Sequence, residues 1–479
     1  MKNMIRRALA GLMLAAAALS FAACGDGQKP PPSGDDSIVD REKVTATTEN
    51  PDTYDVEDYV ESEVWKNFVT ITFGDTVKIQ NSNEAEIDVL VQGGNVAVTS
   101  AKKMQLTLRG TLRGSVLVTK PDGKLKLVLD GADIRSDSGP AINLQTEKRV
   151  FVVLADGSVN TLTDGSEHPL LPDGSKTKAA LFSREQLISS GGGALRAEGR
   201  YSHAIASNDY LRIRGGDYQL RAVNDGLRAN DRIIVDGGNI RTQAGSDGME
   251  CERGNVVLNG GSLALQAEGC GIKAAAASPV SIDILNGAVE IDAAEYGILS
   301  QTDALLRGGY LRIEAKGGGV KTTGKISVND GYIFTKSSNG SGMDAEQGLF
   351  FAGGTILSLA ANSKAYDAHS ANFIIAGGTV AGAAGNLFEP DANSSQQALL
   401  FENAKSAKLF HAADADGKGI LTLRLDDVFQ WILLSAPQIR TGNVYSLYLG
   451  GSVAGKNFHG LYGGEEYRDQ GADRSQIQI

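Results

Sequence analysis

The chain has 479 residues, including 59 glycines, a hydrophobic fraction of 42% and a formal net charge of −11. Such an acidic chain lacks the basic balance that is typical of nucleic-acid-binding proteins, so we expect no nucleic-acid partner. Aromatic residues make up only 6% of the sequence, and apolar residues mostly alternate with polar ones, which is typical of β-strands.

The N-terminus, residues 1–23, has the layout of a secretory signal. Lys2, Arg6 and Arg7 precede an apolar run that is too short to be a stable membrane span. The run ends in Phe-Ala-Ala followed by Cys24, which resembles the lipobox of bacterial lipoproteins. We therefore expect a lipid on Cys24 that anchors the protein without a spanning helix. The alternative is an ordinary signal peptide followed by a chance cysteine.

Residues 24–60 are predicted to form a flexible spacer. They are rich in Pro, Gly, Ser, Asp and Thr, and three consecutive prolines occupy positions 30–32. This composition does not predict a hydrophobic core. The acidic residues after Cys24 resemble the surface-export signals of Bacteroidetes lipoproteins. The expected location is therefore the bacterial cell envelope, on the outer surface of the outer membrane.

A short turn phrase returns nine times between Gly192 and Gly378, at spacings of 22 to 26 residues. Seven of the turns are Gly-Gly, and the others are Asn286-Gly287 and Asp330-Gly331. These residues supply the backbone freedom that a tight corner needs. Apolar residues follow every turn and precede eight of the nine turns, and a third apolar column lies about half a repeat away. This third column consists of Ile205, Leu227, Met249, Ile272, Ile298, Val320 and Met343.

Three apolar columns with one period indicate stacked repeats. The residues around the turns alternate with the two-residue period of a strand, as at 211–214. Three short strands and three corners per period predict an all-β chain that forms a parallel β-helix of about 22 residues per rung. A leucine-rich horseshoe would need a Leu/Asn signature with a helical segment, and a propeller would need about 40 residues per blade. Neither pattern occurs in the sequence.

The β-helix is assigned to residues 61–386, because strand alternation begins near Val64 in a less regular form. A polar insertion at 164–178 is expected to leave the solenoid as a loop. The period ends after Gly385, although strand alternation continues to the C-terminus. Because an open stack would expose apolar side chains and unpaired edges, residues 387–479 are predicted to form a β-rich C-terminal cap.

Several phrases resemble a bacterial family of carbohydrate-binding domain-containing β-helix proteins. They include Asn-Thr-Leu-Thr-Asp-Gly at 160–165, Asn-Asp-Gly-Leu at 224–227 and Ser-Asp-Gly-Met at 246–249. A further phrase, Gly-Leu-Tyr-Gly-Gly, stands at 460–464, so the resemblance covers roughly residues 64–470. It implies a right-handed, pectin-lyase-like β-helix that binds plant polysaccharide and coordinates calcium, without implying catalysis.

A calcium cofactor is expected from stacked carboxylates together with this resemblance. Asp225 and Asp247 keep the family's Asp-Gly corner, and Asn208-Asp209 and Asn230-Asp231 repeat the same 22-residue spacing. Carboxylates stacked about 5 Å apart repel unless a cation neutralises them, and calcium takes oxygen ligands. The alternative is that these side chains only cap turns. The expected ligands are Asn208, Asp209, Asp225, Asn230, Asp231 and Asp247.

A polysaccharide ligand is expected to contact flat aromatic rings and cations. Tyr310 and Tyr332 occupy matching positions 22 residues apart and are expected to stack on the outer surface. Arginine binds carboxylates in a bidentate way, which suits galacturonate. Eight arginines crowd into two and a half rungs, although nearby acids would also balance a solvated surface: Arg196, Arg200, Arg212, Arg214, Arg221, Arg228, Arg232 and Arg241. The expected sugar ligands are Arg212, Arg214, Arg228, Arg232, Tyr310 and Tyr332.

The expected function is non-catalytic binding of a plant cell-wall polysaccharide, such as pectate or cellulose, by a monomeric, calcium-stabilised surface lipoprotein. No catalytic residue is assigned. A calcium-dependent polysaccharide lyase or another glycan-active enzyme is the first alternative, with a site where Asp225 and Asp247 lie beside Arg228. A surface adhesin or structural stalk is the second. Cys251 and Cys270 are four positions out of register on adjacent rungs, so we expect two separate buried thiols.

Overall fold

The computed structural model describes residues 36–120, 122–171, 174–275, 280–403 and 407–479. The signal segment 1–23, Cys24 and the first part of the expected spacer lie outside the described residues. Across the described ranges, no helix is both long and apolar enough to span a membrane.

The main body is a parallel β-helix of about 12 turns with about 23 residues per turn, which confirms the expected fold class. Its strands form three faces, called sheets 1, 2 and 3. Sheet 1 contains Asn67–Phe73, Met104–Arg113, Leu125–Arg135, Val150–Leu154, Leu187–Gly191, Tyr210–Ile213, Arg232–Val235, Asn255–Leu258, Val280–Ile284, Asp303–Leu306, Ile326–Val328, Leu349–Phe351 and Phe373–Ile375.

Sheet 2 follows each Gly-Gly corner, and sheet 3 completes the turn. Sheet 2 contains Val159–Thr163, Ala194–Gly199, Asp217–Ala222, Asn239–Ala244, Ser262–Ala267, Ala288–Ala293, Tyr310–Ala315, Tyr332–Ser337, Thr355–Ala360 and Thr379–Ala384. Sheet 3 contains Ile87–Gln92, Asn95–Ser100, Val116–Lys120, Ile142–Thr146, Ala179–Ser183, His203–Ser207, Leu227–Ala229, Met249–Cys251, Ile272–Ala274, Tyr296–Ser300, Gly318–Thr322, Met343–Ala345 and Tyr366–Asp367.

The core consists of apolar columns that run along the axis of the solenoid. In the strand Asp217–Ala222, buried and partly exposed residues alternate, so Tyr218 and Leu220 point inward. The third predicted column is in register, with Leu227 directly against Met249 and Met249 against Ile272. Full burial of one such side chain contributes roughly 1.5–3 kcal/mol, so the continuous column accounts for much of the stability.

The Gly-Gly corners are tight because each rung lies directly on the one before it. Gly238 has φ +89°, and a Cβ atom there would lie 2.7 Å from the carbonyl oxygen of Gly216. Any other residue would therefore meet both backbone strain and a clash with the preceding corner. The glycine repeat in the sequence reflects this close approach.

Residues 36–63, called the strap, run along the outside of sheet 1. The prediction of a flexible spacer at 24–60 is therefore wrong for residues 36–60. The strap contains helix α1 (Arg41–Thr45) and three 3₁₀ turns: Pro51–Thr53, Val56–Asp58 and Val60–Ser62. Its N-terminal end contacts the cap, where the amide of Asn457 donates to Ser37 Oγ (3.0 Å). Its middle contacts the solenoid, where the amide of Thr48 donates to the carbonyl of Asn259 (2.7 Å). Side-chain caps and ion pairs to distant rungs order a segment that has few apolar residues.

Antiparallel strands protect the two ends of the solenoid. At the first rung, Lys78–Asn81 pairs antiparallel with Asn67–Phe73. At the last rung, Trp431–Ser435 pairs antiparallel with both Thr379–Ala384 and Ala398–Glu402. The rest of the C-terminal region forms a six-stranded sheet and a two-stranded sheet. They contain Leu409–Ala413, Gly419–Arg424, Val444–Leu449, Ser452–Val453, Asn457–Phe458, Leu461–Gly463, Tyr467–Arg468 and Asp473–Gln478, with a 3₁₀ turn at Gly464–Glu466.

The C-terminal cap also packs sideways against the outer face of sheet 2. Tyr310 and Phe334 share a hydrophobic cluster with Phe410 and Phe458 of the cap. The cap therefore closes the last rung and also covers the outer face of sheet 2 from the rung of Tyr310 onward.

Two smaller predictions also agree with the structure. The described part of 164–178 is a loop, in which His168 Nε2 lies 2.9 Å from Asp164 Oδ2. Cys251 and Cys270 are both free and buried.

Candidate functional site

Two regions of the β-helix are left open by the strap and the cap: the middle of sheet 2 and the outer face of sheet 3. The strap covers the outward residues of sheet 1 on the middle rungs, where Phe151 and Ile234 are at most 3% exposed, whereas Leu305 and Phe350 on later rungs are half-buried. The cap covers sheet 2 from Tyr310 onward. The open part of sheet 2 therefore offers a long ligand a surface that neither the strap nor the cap covers.

The outer face of sheet 2 presents two columns of polar side chains. In the first column Arg196, Gln219 and Arg241 lie in register on successive rungs. In the second column Glu198, Arg221 and Gln243 occupy the neighbouring outward positions of the same strands. Parallel strands lie about 4.8 Å apart, so the face repeats hydrogen-bond donors at the spacing of the rungs.

The first rungs of this face form a shallow groove, and Arg241 lies in register on the rung beyond it. The groove and Arg241 are together called the arginine groove. The cavity has a volume of about 170 Å³, and Thr161, Arg196, Glu198, Gln219 and Arg221 contribute to its walls. Arg196 is exposed and forms no ion pair with any residue that the structure describes. Two arginines, Arg196 and Arg221, face one carboxylate, that of Glu198, so the groove carries a small net positive charge although the whole chain is acidic.

A carboxylate cluster lies at the start of sheet 3, around the corner from the arginine groove. Asp225, Asp247 and Glu250 each contribute one carboxylate oxygen to this cluster, and the three oxygens lie within 4.8 Å of one another. Asp225 and Asp247 are buried at successive corners, and Glu250 is half-buried on the strand that follows. The sequence correctly paired the two aspartates but did not identify Glu250.

Each oxygen of the three carboxylates already has a nitrogen partner. Asp225 Oδ1 accepts from the amide of Asp247 (3.1 Å), and Asp247 Oδ1 accepts from the amide of Cys270 (2.7 Å). Arg228 Nη1 lies 3.2 Å from Asp225 Oδ2 and also donates to Glu250 Oε2. Lys273 Nζ bridges Asp247 Oδ2 (3.1 Å) and Glu250 Oε1 (3.0 Å).

The surroundings shift the pKa values of the cluster in opposite directions. Burial alone would raise the pKa of Asp225, but the His203 ring and the amide of Asp247 outweigh it and lower the pKa to about 2. Burial, reinforced by the charge of Asp225, raises the pKa of Glu250 despite Lys273 and Arg228. For Arg228, burial is outweighed by the carboxylates, chiefly that of Glu250, so its pKa is raised.

The cluster as placed does not fit a calcium ion. Calcium takes six to eight oxygen ligands, but the carboxylate oxygens here face N–H groups and two cationic side chains. Arg228 and Lys273 occupy the position of the neutralising cation. A calcium ion would have to displace both of them.

The other expected calcium ligands lie at a different corner, between sheets 3 and 1. Asp209 accepts a hydrogen bond from Gln186, and Asp231 Oδ1 lies 2.9 Å from Arg253 Nη2. Burial, with a smaller contribution from the charge of Asp231, raises the pKa of Asp209. Asn208 and Asn230 belong to this second corner and do not join the carboxylate cluster.

The four arginines chosen from the sequence as sugar ligands have structural partners. Arg212 is buried, with Nε 2.7 Å from Asp236 Oδ2, and Arg214 Nη1 lies 3.0 Å from Glu61 of the strap. Arg228 belongs to the carboxylate cluster, and Arg232 Nε donates to Asn255 Oδ1 (2.9 Å). The surface interpretation is wrong for Arg212, because the strap covers the side of sheet 1 on which it lies.

The expectation that Tyr310 and Tyr332 form an exposed sugar platform is also wrong. They are in register on adjacent rungs, as predicted, but Tyr310 is only 1% exposed. Arg41 of the strap lies 4.0 Å above the Tyr310 ring, and Phe458 of the cap packs against both tyrosines. The sequence did not indicate that the two tyrosines are covered, because Arg41 and Phe458 lie far from them along the chain.

The sequence identified the arginine-rich stretch but not which of its members face an open surface. Arg196, Arg221 and Arg241 alternate with inward apolar residues on strands of sheet 2. The two-residue alternation of these strands, which is visible in the sequence, predicts that all three arginines point outward. Only the positions of the strap and the cap distinguish them from Arg212.

The middle of the chain resembles known proteins that are described as carbohydrate-binding domain-containing. Residues 92–294 match the family model described as "Carbohydrate-binding domain-containing protein". A curated protein of the same description from Acetivibrio thermocellus is 31% identical over 97 residues, which cover 20% of this chain and 34% of that relative. The chain therefore spans about a third of the length of the relative.

A solved structure described as a polysaccharide lyase-like protein from C. thermocellum, a gadolinium derivative, is 23% identical. The match covers 59% of this chain and 96% of that chain, with a TM-score of 0.40. The family match includes the arginine groove and the carboxylate cluster, but not the C-terminal cap. The resemblance to the carbohydrate-binding domain-containing family is thus confirmed over residues 92–294.

Proposed function

We propose that the arginine groove binds an anionic plant cell-wall polysaccharide of the pectate type, and that it does so without catalysis. The observation that carries this proposal is the in-register stacking of Arg196, Gln219 and Arg241, with Arg221 beside them. A polymer that lies across the strands would meet equivalent donors on successive rungs. The family match supports carbohydrate binding in general, whereas the choice of a uronate rests on this geometry.

An acidic sugar is favoured over cellulose because of the charge of the groove. A guanidinium group forms paired, charge-assisted hydrogen bonds with a carboxylate, which a neutral glucan cannot offer. The chain carries a net charge of −11, so a polyuronate would be repelled by most of the surface. A local cationic groove therefore determines where such a chain binds.

A lyase is less well supported by the residues near Asp225. Such an enzyme needs a base, and Arg228 lies beside the two aspartates of this alternative site. Its guanidinium lies among Asp225, Glu250 and Glu252, and these carboxylates raise its pKa despite its burial. A guanidinium held in its charged form cannot accept a proton. Calcium binding at this cluster is an untested expectation from the sequence, and it would require Arg228 and Lys273 to move away.

Binding of polygalacturonate to a triple variant tests the proposal. Arg196→Ala, Arg221→Ala and Arg241→Ala together should weaken binding by at least tenfold, since about 1.4 kcal/mol corresponds to tenfold. The matched control is Arg253→Ala, which removes an exposed arginine from another corner and should leave binding unchanged. Equal binding by the triple variant and the wild type would contradict the proposal. Release of unsaturated uronides by the wild type would support the lyase alternative.

We also propose that the protein is held at the bacterial surface by a lipid on Cys24. The support is the sequence layout at 1–24, which precedes the described residues. Cys24→Ser should move the protein from the membrane fraction to the soluble fraction, and should abolish labelling with palmitate. Labelling and fractionation identical to the wild type would contradict this anchor.

A further inference from the structure

The C-terminal cap contains a second groove that has no part in the proposed polyuronate site. A cavity of about 570 Å³ and a neighbouring one of about 270 Å³ share the lining residues Gly419, Gly464 and Glu465. We call this joined space the cap groove. It lies outside the segment 92–294 that matches the carbohydrate-binding family model.

An aromatic wall borders the smaller part of the cap groove. The rings of His411 and Tyr467 are stacked, with centroids 3.9 Å apart and an interplanar angle of 10°. The Tyr448 ring is tilted against both, with centroids 5.5 and 5.7 Å away. All three residues line the cavity, so part of each reaches the space that a ligand would occupy.

The two tyrosines do not serve as ordinary core residues. Both are half-buried, and neither belongs to the hydrophobic clusters of the solenoid or the cap. Behind them, the buried His411 is held by Thr422, with Nδ1 and Oγ1 2.8 Å apart. The flat rings are therefore supported from the interior while they border a groove.

The rim of the cap groove is acidic, unlike the arginine groove. Asp414, Asp416, Glu465 and Asp469 line it, whereas Lys418 is the cation among its lining residues. Asp414 organises its own loop, because Oδ1 accepts from the amides of Asp416 (3.1 Å) and Lys418 (2.8 Å). Carboxylates accept hydrogen bonds from sugar hydroxyl groups but repel the carboxylates of a uronate.

We propose that the cap groove binds a neutral sugar unit, stacked on Tyr448 and Tyr467 and hydrogen bonded to Glu465 and Asp469. This inference extends the proposed carbohydrate-binding function but depends on different residues. The two grooves then differ in charge preference, so one protein would contact both acidic and neutral polysaccharides of a plant cell wall.

Calorimetric titration of the full-length protein tests the cap groove. Cellohexaose and xylohexaose serve as neutral probes, and hexagalacturonate serves as the anionic probe. Tyr467→Ala and Tyr448→Ala should each weaken neutral-sugar binding roughly threefold to tenfold, as expected for the loss of one stacked ring. Both variants should bind hexagalacturonate as the wild type does.

Tyr467→Phe and Tyr448→Phe are the matched controls, because they keep the rings. Tyr467→Phe also removes the hydrogen bond from its hydroxyl to the carbonyl of Gly450 (3.2 Å), so it separates stacking from that structural contact. Neutral-sugar binding within twofold of the wild type is expected for both. If Glu465→Gln combined with Asp469→Asn also leaves neutral-sugar binding unchanged, the rim has no role and the proposal fails.

The result for one groove does not decide the other. Wild-type protein that binds hexagalacturonate but neither neutral probe would overturn the cap-groove proposal alone. Wild-type protein that binds the neutral probes, with loss in the tyrosine variants and no binding of hexagalacturonate, would overturn the arginine-groove proposal alone. Neutral-sugar binding that is equal in Tyr467→Ala and in the wild type would place the neutral site elsewhere.

Discussion

Arg212 on sheet 1 forms a buried ion pair with Asp58 of the strap, with Nη1 3.0 Å from Oδ2 and side chains only 4% and 2% exposed. The same guanidinium binds Asp236 through Nε (2.7 Å) and the carbonyl of Thr53 through Nη1 (2.6 Å). One arginine therefore connects the strap to the solenoid at a position where water is excluded.

Replacement of Arg212 by alanine should strongly destabilise the protein. Removal of one partner from a buried ion pair leaves an uncompensated charge, and the usual cost is about 3–5 kcal/mol. In Arg212→Ala the carboxylates of Asp58 and Asp236 would each lose this cation, although Arg149 Nε stays 3.3 Å from Asp58 Oδ1. Urea denaturation measures the loss in the free energy of unfolding.

The control for this variant is an arginine with a similar charge pairing but an exposed position. Arg253 and Asp231 form an ion pair with side chains 63% and 52% exposed. Arg253→Ala should change the free energy of unfolding by less than about 1 kcal/mol. Equal losses in the two variants would show that burial of the Arg212 pair is unimportant.

The solenoid itself could be predicted from the sequence because its interactions are periodic. Residues that share a position in the repeat, such as Leu227 and Met249, become neighbours in the adjacent rung. One-dimensional stacking turns a sequence period directly into spatial contact. The period therefore predicts both the strands and the inward residues.

The strap could not be predicted because its order comes from contacts over long sequence distances. Its composition is typical of a disordered linker, yet Asp58 and Arg212 meet across 154 residues. The strap also decides which arginines remain open to a ligand. For this reason the sequence indicated an arginine-rich stretch, but the predicted sugar ligands included the covered Arg212 and omitted the exposed Arg196.

The strap lies so close to the corner at Gly260 that a methyl group should disturb it. A Cβ atom there would lie 2.8 Å from the carbonyl oxygens of Ala46 and Asp236 and from Thr47 Cα. Because these are backbone atoms, they cannot rotate away, and overpacking typically costs about 1–3 kcal/mol. Gly260→Ala should lower the melting temperature and speed proteolysis within the strap.

Gly215→Ala is the matched control for the corner. A Cβ atom at Gly215 would meet no atom closer than 3.4 Å, at the carbonyl oxygen of Gly191. Melting and proteolysis should stay near those of the wild type. Faster cleavage in both variants would mean that glycine itself, rather than the closeness of the strap, matters at these corners.

Acid should destabilise the protein through Asp225. Its pKa is lowered to about 2 in the folded state, although the usual value for aspartate is about 3.9. Such a group stabilises the fold above pH of about 4, and this contribution is lost as the pH falls toward about 2. Asp225→Asn should therefore be less stable at neutral pH and should show a flatter decline between these values.

Glu250 provides a control, because its pKa is shifted in the opposite direction to that of Asp225. Because burial raises its pKa in the folded state, its contribution to stability increases as the pH falls. Glu250→Gln should remove that compensation and make the acid-induced decline steeper. Chemical denaturation at a series of pH values distinguishes the two variants. A flatter decline in Glu250→Gln would contradict the assignment of these shifts.

The continuous core should be sensitive to truncation at any rung. Ile284 is 2% exposed and lies in register between Leu258 and Leu306. Ile284→Ala should cost about 2–5 kcal/mol, because the stacked neighbours cannot close the cavity. Gln266→Ala, on the exposed outer face of sheet 2, should stay within about 0.5 kcal/mol. Similar urea midpoints for both variants would contradict the assignment of inward and outward positions.

The last prediction concerns calcium and the two cations that occupy the carboxylate cluster. Lys273 Nζ lies 3.1 Å from Asp247 Oδ2 and 3.0 Å from Glu250 Oε1, and Arg228 binds the other side of Glu250. Because these cations already neutralise the carboxylates, the melting temperature of the wild type should be the same in calcium and in EGTA. Arg228→Ala combined with Lys273→Ala should lower the melting temperature in EGTA, since three carboxylates are then left to repel one another.

Calcium should rescue this double variant by binding the oxygens that the substitutions release. Binding to the folded state alone would add about 2.7 kcal/mol at a hundredfold excess over the dissociation constant. The control is the same double variant with Asp225→Asn and Asp247→Asn, which should lose the calcium response. A calcium-dependent rise in the melting temperature of the wild type would show that the ion displaces Arg228 and Lys273, as the calcium prediction from the sequence requires.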